Sequence, residues 1–339
     1  MSEIPRGAIR FNTDSNKPEL WDGSQWAEFQ LSTPNLGQGS DTEPGARGLI
    51  GGGDMAAPVA KRTVDYLNIA STGDSLDYGD LVSDKANITA CSSSTRCVTF
   101  GGGNPGSLNE MDLATIASTG NFVDFGNLID PRRGAGACSN STRGIVGGGL
   151  NAPGTRVTSI EYITIASAGD AQSFGDLNTG RTFWEGVTSS PVRGIFAGGE
   201  SPTTYENIIE FVTISTLGDA QDFGDLSVGR NNNAAASNHI RGIFAAGETS
   251  AGVNTNTIDF ITIASLGNAT EFGDVTTARR YPTAAEDATR MVIASGYTTT
   301  QSNIIDYITM STAGDAVDFG DLSYKSYSGF GASNAHGGL

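Results

Sequence analysis

The sequence predicts an all-β fold: a six-bladed β-propeller preceded by a small N-terminal β-hairpin module. Three observations predict it. A marker of aromatic residue, Gly and Asp (once Asn) occurs six times, at Tyr78-Gly79-Asp80, Phe125-Gly126-Asn127, Phe174-Gly175-Asp176, Phe223-Gly224-Asp225, Phe272-Gly273-Asp274 and Phe319-Gly320-Asp321. Its glycines are spaced 47, 49, 49, 49 and 47 residues apart, a period that signals an array of similar supersecondary units. Each unit holds four short segments rich in β-branched, aromatic or small residues, separated by Gly- and Asp-containing turns. That is the strand content of one propeller blade. The predicted organisation is a small N-terminal β module over residues 1–30, a linker over 31–46 and the ring over 47–339.

Within one unit the strands follow in order. Arg193–Gly199 is a short apolar strand ended by paired glycines, and Glu200–Asn207 is a polar loop. Ile208–Ser215 is β-branched and aromatic, hence a second strand. Leu217-Gly218-Asp219 turns the chain into a third strand at Gln221–Gly224. After Arg230, Asn233–Ser237 is a strand of small residues leading into the next unit. A solenoid would need terminal units that differ from the internal ones. Here the first unit opens at Arg47 without a small-residue strand, and the last ends on one, Gly329–Asn334. Such a phase shift lets the C-terminal strand complete the first sheet and close a ring, which removes exposed edges.

These features resemble kelch propellers: an apolar strand ending in Gly198-Gly199, the acidic-aromatic pair Glu210-Phe211, Phe223, and Arg230 before the following strand. The likeness covers about 290 residues, with Phe or Tyr where that family carries Trp. It implies architecture, and kelch-like propellers serve many roles.

Charge recurs with the repeat. An acid stands fourteen residues before each marker glycine: Asp65, Asp112, Glu161, Glu210, Asp259 and Asp306. A base stands six after it in five units: Lys85, Arg132, Arg181, Arg230 and Arg279. A second basic series, Arg47, Arg96, Arg143, Arg193, Arg241 and Arg290, opens the first strand of each unit. Blades are covered on both faces, so the acids are expected to be desolvated and to pair with one of the two series. Six near-equal copies favour a structural role over a ring of substrate ligands.

Composition narrows function. Net charge is −17 with 20 basic residues spread along the chain, which disfavours nucleic-acid binding and anionic membrane surfaces. No apolar run reaches spanning length, so membrane insertion is not expected. Cys91, Cys97 and Cys138 read as small buried residues rather than metal or redox ligands. A Cys91–Cys97 disulfide stays open at this stage. Gly-Asp turns such as Gly73-Asp74 and Gly218-Asp219 could contribute oxygen ligands to calcium, but Asp after Gly is ordinary turn chemistry; no cofactor is expected. His239 and His336, both placed in connections between strands, come with no partner pattern for nucleophilic catalysis. No unit has a distinctive carboxylate pair for glycoside hydrolysis. The glycine runs near Gly51, Gly101 and Gly147 lack the Lys-Ser/Thr and helix of a phosphate loop. The chain is therefore expected not to be an enzyme.

Residues 5–30 break the repeat. Ala8–Asn12, Glu19–Trp21 and Trp26–Phe29 read as three strands, with a tight turn at Asp22-Gly23. Their apolar residues, Ile9, Phe11, Leu20, Trp21, Trp26 and Phe29, are too few to stabilise thirty residues alone. The module is expected to pack on the ring, on copies of itself or on another protein. Gly7–Thr13, Glu19-Leu20-Trp21-Asp22-Gly23 and Trp26 resemble a short motif of bacteriophage tail-fibre and virion appendage proteins. The repeats, with Tyr162–Ser167 and Phe174-Gly175-Asp176, are similar in style to structural proteins of marine tailed phages. The resemblance implies a virion protein assembled in the host cytoplasm, homo-oligomeric and bound to other virion proteins. Its N-terminus would attach, and the ring would project as a tail fibre or receptor-binding appendage. A neck or capsid joint is the alternative, with a glycan-active enzyme behind it. Loop residues Thr203, Thr204, Tyr205, Tyr297 and Thr298 are the candidates for contact with a host-surface glycan or protein.

Overall fold

A computed structural model describes residues 8–12, 17–21, 24–28, 47–55 and 59–339. It divides into two compact units, Met1–Glu43 and Pro44–Leu339. In the first, strands Ile9–Asn12, Lys17–Trp21 and Trp26–Glu28 form one antiparallel sheet in that order. Trp21 stands opposite Trp26, their rings 5.4 Å apart, and the Arg10 guanidinium lies over Trp26. Ile9 is 67% exposed, so it adds nothing to a core within this unit. Phe29, the Asp22-Gly23 turn and the predicted linker lie outside the described residues.

The second unit is the six-bladed propeller. Blade 1 joins Phe330–Ser333 to Arg47–Gly51, Val59–Asn68 and Leu76–Lys85. Blade 2 is Thr89–Ser92, Arg96–Phe100, Leu108–Thr115 and Val123–Arg133, and blade 3 is Gly136–Ser139, Arg143–Gly147, Ser159–Thr164 and Gln172–Asp176. Blade 4 is Val187–Ser189, Arg193–Ala197, Ile208–Thr213 and Gln221–Asp225, and blade 5 is Ala234–Ser237, Arg241–Ala245, Thr257–Thr262 and Thr270–Asp274. Blade 6 is Thr283–Glu286, Arg290–Ala294, Ser302–Thr309 and Val317–Ser326. The small-residue strands are innermost, and each packs beside the next around the axis. Phe330–Ser333 touches the inner strands of both blade 6 and blade 2. Small side chains are required there because six backbones converge.

The apolar cores lie between blades. One joins Phe211 and Phe223 of blade 4 to Phe244 and Ile261 of blade 5, and another joins Val292 and Phe319 of blade 6 to Ile50 and Leu67 of blade 1. The marker explains itself at each junction. In five blades its aromatic ring meets an aromatic of the third strand edge-on, as in Phe211–Phe223 at 6.1 Å, and in blade 2 Leu113 packs in the core with Phe125 instead. Its carbonyl accepts the amide of the next blade's turn glycine: Gly120 N–H donates to Tyr78 O at 2.9 Å, and the bond recurs at all six junctions. The Asp or Asn after that glycine caps the marker's own amide, as Asp80 N–H to Asn121 Oδ1 at 3.1 Å and Asp176 N–H to Asp219 Oδ1 at 3.0 Å. The Gly-Asp turns are thus clips between blades.

The repeated charges are also joints. The acids are 0–2% exposed. Five pair with the base of the preceding blade: Asp112 with Lys85, Glu161 with Arg132, Glu210 with Arg181, Asp259 with Arg230 and Asp306 with Arg279. Burial pulls these four guanidinium groups below their ordinary range, and the carboxylates pull them back. At the junction of blades 6 and 1, Ser326 stands where the base would be. There Asp65 is held by Ser75 Oγ (2.5 Å), Ser323 N–H (2.9 Å) and Ser323 Oγ (2.8 Å). The second basic series clamps neighbours by another route: Arg193 lies over Phe211 at 4.6 Å and donates to Ile263 O of the next blade at 2.7 Å.

Candidate functional site

The connections between blades and the longer loops after the second strand lie on one end of the ring, the loop face. The short turns lie on the other, the turn face. Each connection must swing from an outermost strand to the next innermost one, and five of the six do so through one residue with left-handed φ: Asn87 (57°), Gly134 (62°), Asn232 (60°), Tyr281 (56°) and Ser328 (60°). Their backbones link in series around the axis. Asn87 N–H donates to Ser328 O, Gly134 to Asn87, Phe183 to Gly134, Tyr281 to Asn232 and Ser328 to Tyr281, at 2.8–3.2 Å.

The series is interrupted once. From Gly126 to the inner strand at Gly136 is ten residues, whereas Gly175 to Val187 is twelve. The two extra residues are Trp184 and Glu185, both left-handed (φ 51° and 84°), and the Phe183 carbonyl accepts from Gly186 instead. Non-glycine residues in that conformation are strained and concentrate at functional sites. The Trp184 ring lies against Gly134, where a Cβ would come 2.9 Å from it.

From Trp184 an aromatic chain crosses the loop face. Trp184–Tyr281, Tyr281–Tyr327 and Tyr327–Tyr297 have centroids 5.6, 5.6 and 5.3 Å apart. Arg280 pairs with Glu248 and lies over Tyr297 at 5.0 Å. Tyr205 O–H donates to Glu248 Oε2 at 3.4 Å, as does Asn232 Nδ2 at 3.4 Å. Glu200 pairs with Arg156. The rings are half-buried; burial pushes the Tyr281 phenol up to about 12 and raises Tyr205 and Tyr327 as well. Asn231, Asn232 and Asn233 are at most 1% exposed, and the side-chain oxygen of each is unpartnered among the described residues, as is Trp184 Nε1.

All five loop residues picked from sequence lie on this face. Thr203 and Thr204 are exposed and Tyr205 half-buried in the blade 4 loop; Tyr297 and Thr298 are half-buried in the blade 6 loop. Tyr205 and Tyr297 come together through Glu248 and Arg280, while the threonines stand aside. Of the attachment residues, Trp21 and Trp26 meet and Ile9 is exposed, while Phe11 and Leu20 lie in paired strands. Sequence reasoning missed Trp184, Tyr281, Arg280, Glu248 and Tyr327. The longer third connection was the available signal.

A second irregularity sits on the axis. The inner strands end in Ser92, Ser139, Ser189, Ser237, Glu286 and Ser333. The hydroxyls donate around the ring, Ser139 to Ser92 O and Ser189 to Ser139 O at 2.7 Å, Ser237 to Ser189 O at 2.5 Å. Glu286 takes the sixth place. It lines an axial cavity of about 40 Å³ together with Glu185, His336, Cys91 and Cys138. Burial pushes both carboxyls up to about 8, and Glu185 raises Glu286 further. His336 is not in a connection between strands. It is buried in the segment after the last strand, its Nε2 2.8 Å from Ser92 O, and burial holds it down at about 4. All three cysteines are free and buried, and burial raises their thiols. Among the described residues no three His, Cys, Asp or Glu side chains group so as to hold a metal ion.

The unfolded Glu286 ionises near its ordinary 4.5 and the folded one near 8, so this residue lowers stability progressively as pH rises between them. Glu286→Ser, which completes the serine series, should be stabilising. Its gain over the parent in urea melts should widen from about pH 5 to reach the order of 2–4 kcal/mol above pH 8. His336 works in the opposite sense: its folded value lies below 6.5, so its contribution is lost as pH falls from 6.5 to about 4. A gain that is flat with pH would show that Glu286 is ionised in the folded protein.

The chain matches no protein-family model, and no curated protein is significantly similar to it.

Proposed function

We propose that the protein is a non-enzymatic structural protein of a bacteriophage virion. In this reading it is a kelch-like appendage of the tail-fibre or receptor-binding type, held to the particle by its N-terminal module and presenting the loop face to the host surface. One observation carries the reading: on the loop face, half-buried rings and charged side chains converge where the symmetry of the ring is broken. The six repeated joints hold the blades together without that cluster, and residues the frame does not need are those free to serve recognition. The likeness of residues 7–26 to appendage motifs supports placement on a virion. The exposed Ile9 of that small sheet fits a surface that seats on another chain.

A joint between neck or capsid proteins is the second reading, and the turn face favours it. Val192, Leu217, Ile240 and Leu266 are 54–65% exposed there, an apolar scatter suited to contact with neighbouring chains. The readings part in imaging of whole particles labelled on the protein. An appendage should show the ring free at the end of a projection, and purified full-length protein should bind intact host cells. A ring covered on both faces by other virion chains would establish the joint instead, and absence from purified particles would overturn both.

A further inference from the structure

The loop-face cluster has a chemistry that selects among ligands. Anions are disfavoured, because both arginines are already committed, Arg280 to Glu248 and Arg156 to Glu200. Asp54 adds a further acid beside Tyr327. Small cations are disfavoured too. Arg280 already places a positive charge 5.8 Å from the Tyr281 centroid and 5.0 Å from that of Tyr297, so a second cation there would meet a like charge. What remains is a neutral set: the half-buried rings of Trp184, Tyr281, Tyr327 and Tyr297, with Trp184 Nε1 and Asn232 Oδ1 buried and unpartnered beside them. Arg280 and Glu248 form a donor–acceptor pair at the same spot. A pyranose matches that set. Its axial C–H face packs on an aromatic ring, and its hydroxyls donate and accept at once.

We propose that the axial end of the loop face binds a neutral sugar residue, packed on the Trp184–Tyr281–Tyr327–Tyr297 chain, with Arg280, Glu248 and Tyr205 directed at its hydroxyls. Two features concentrate the site at one place rather than six. Trp184, which meets Tyr281, is one of the two residues by which the third connection is longer, and tyrosine occurs in the connections only in the last two, at Tyr281 and at Tyr324 and Tyr327. One site per ring follows. The proposal deepens the displayed-face reading and rests on it.

The test uses the full-length protein on an array of neutral oligosaccharides built from glucose, galactose, mannose and N-acetylglucosamine, with polysialic acid and alginate as anionic comparisons. Hits are titrated by calorimetry, and thermal melts confirm that each variant is folded. The expected result is binding of at least one neutral glycan at one site per chain, weakened tenfold or more by Tyr327→Ala and by Tyr297→Ala and unchanged by Ile240→Ser on the turn face. Binding to the anionic polymers alone, or neutral-glycan binding that survives both tyrosine variants, would overturn it. So would an array without hits. Host-cell binding separates the two levels. If cells are bound, and lost with Tyr327→Ala, while no neutral glycan binds, the carbohydrate assignment fails and the displayed face stands. If a neutral glycan binds but cell binding survives both tyrosine variants, the displayed face fails.

Discussion

Arg230→Ala should destabilise the protein by about 3–5 kcal/mol, because it leaves Asp259 a buried charge with no counter-ion, held only by the Ser227 amide and hydroxyl. Both side chains are fully buried, 3.1 Å apart, at the junction of blades 4 and 5. Arg230 also donates to Phe244 O at 3.0 Å, so the truncation leaves a second buried acceptor short of its donor. Replacing both partners, as Arg230→Met with Asp259→Leu, should recover most of the loss, since a buried pair is often no better than apolar residues of similar volume. At the junction of blades 6 and 1, Asp65 keeps the serine amide and hydroxyl that Asp259 receives from Ser227, and the Ser75 hydroxyl takes the place of the base. Urea melts of the single and double variants check the prediction. Equal losses in both would mean that packing volume, not charge, sets the cost.

Gly79→Ala should be comparably severe, on the order of 3 kcal/mol or more. A Cβ at Gly79 would come 2.5 Å from the Gly120 carbonyl oxygen of the next blade, and φ is 146°. The clash falls on backbone, so relief requires blades 1 and 2 to separate, stretching the 2.9 Å bond from Gly120 N–H to Tyr78 O. Gly120→Ala is the matched control. Its φ is 153°, yet a Cβ there meets nothing within 4 Å. It should show only the backbone strain of a left-handed alanine, and the difference between the variants measures the close approach of the blades. Equal losses would assign the whole effect to strain.

Much of the ring was legible because its joints repeat. A residue needed six times leaves a periodic trace, and the marker glycine, the paired acid and the clamp arginine all did so. The pairing partner of each acid could not be chosen from sequence, because both basic series share its period; only the fold places Arg230 beside Asp259 and sends Arg193 toward Ile263 O. The candidate site was legible only in part, for the converse reason. Tyr205 and Tyr297 stood out as aromatics in polar loops, but Trp184 and Glu185 announce themselves only as a two-residue excess in one connection. Glu286 announces itself only as one departure among six strand ends. Single departures carry no period, and their meaning depends on which of them share the axis.

Closure of the ring by residues 330–333 underlies the whole account, because it brings all six connections to one face. Amide hydrogen exchange of the full-length protein tests it most directly. The pairing of Phe330–Ser333 with Gly48–Gly51 predicts that ladder amides of this last strand exchange as slowly as those of Ala234–Ser237 in blade 5, through global opening alone. Rapid exchange across 330–333, with 234–237 still protected, would contradict a closed ring.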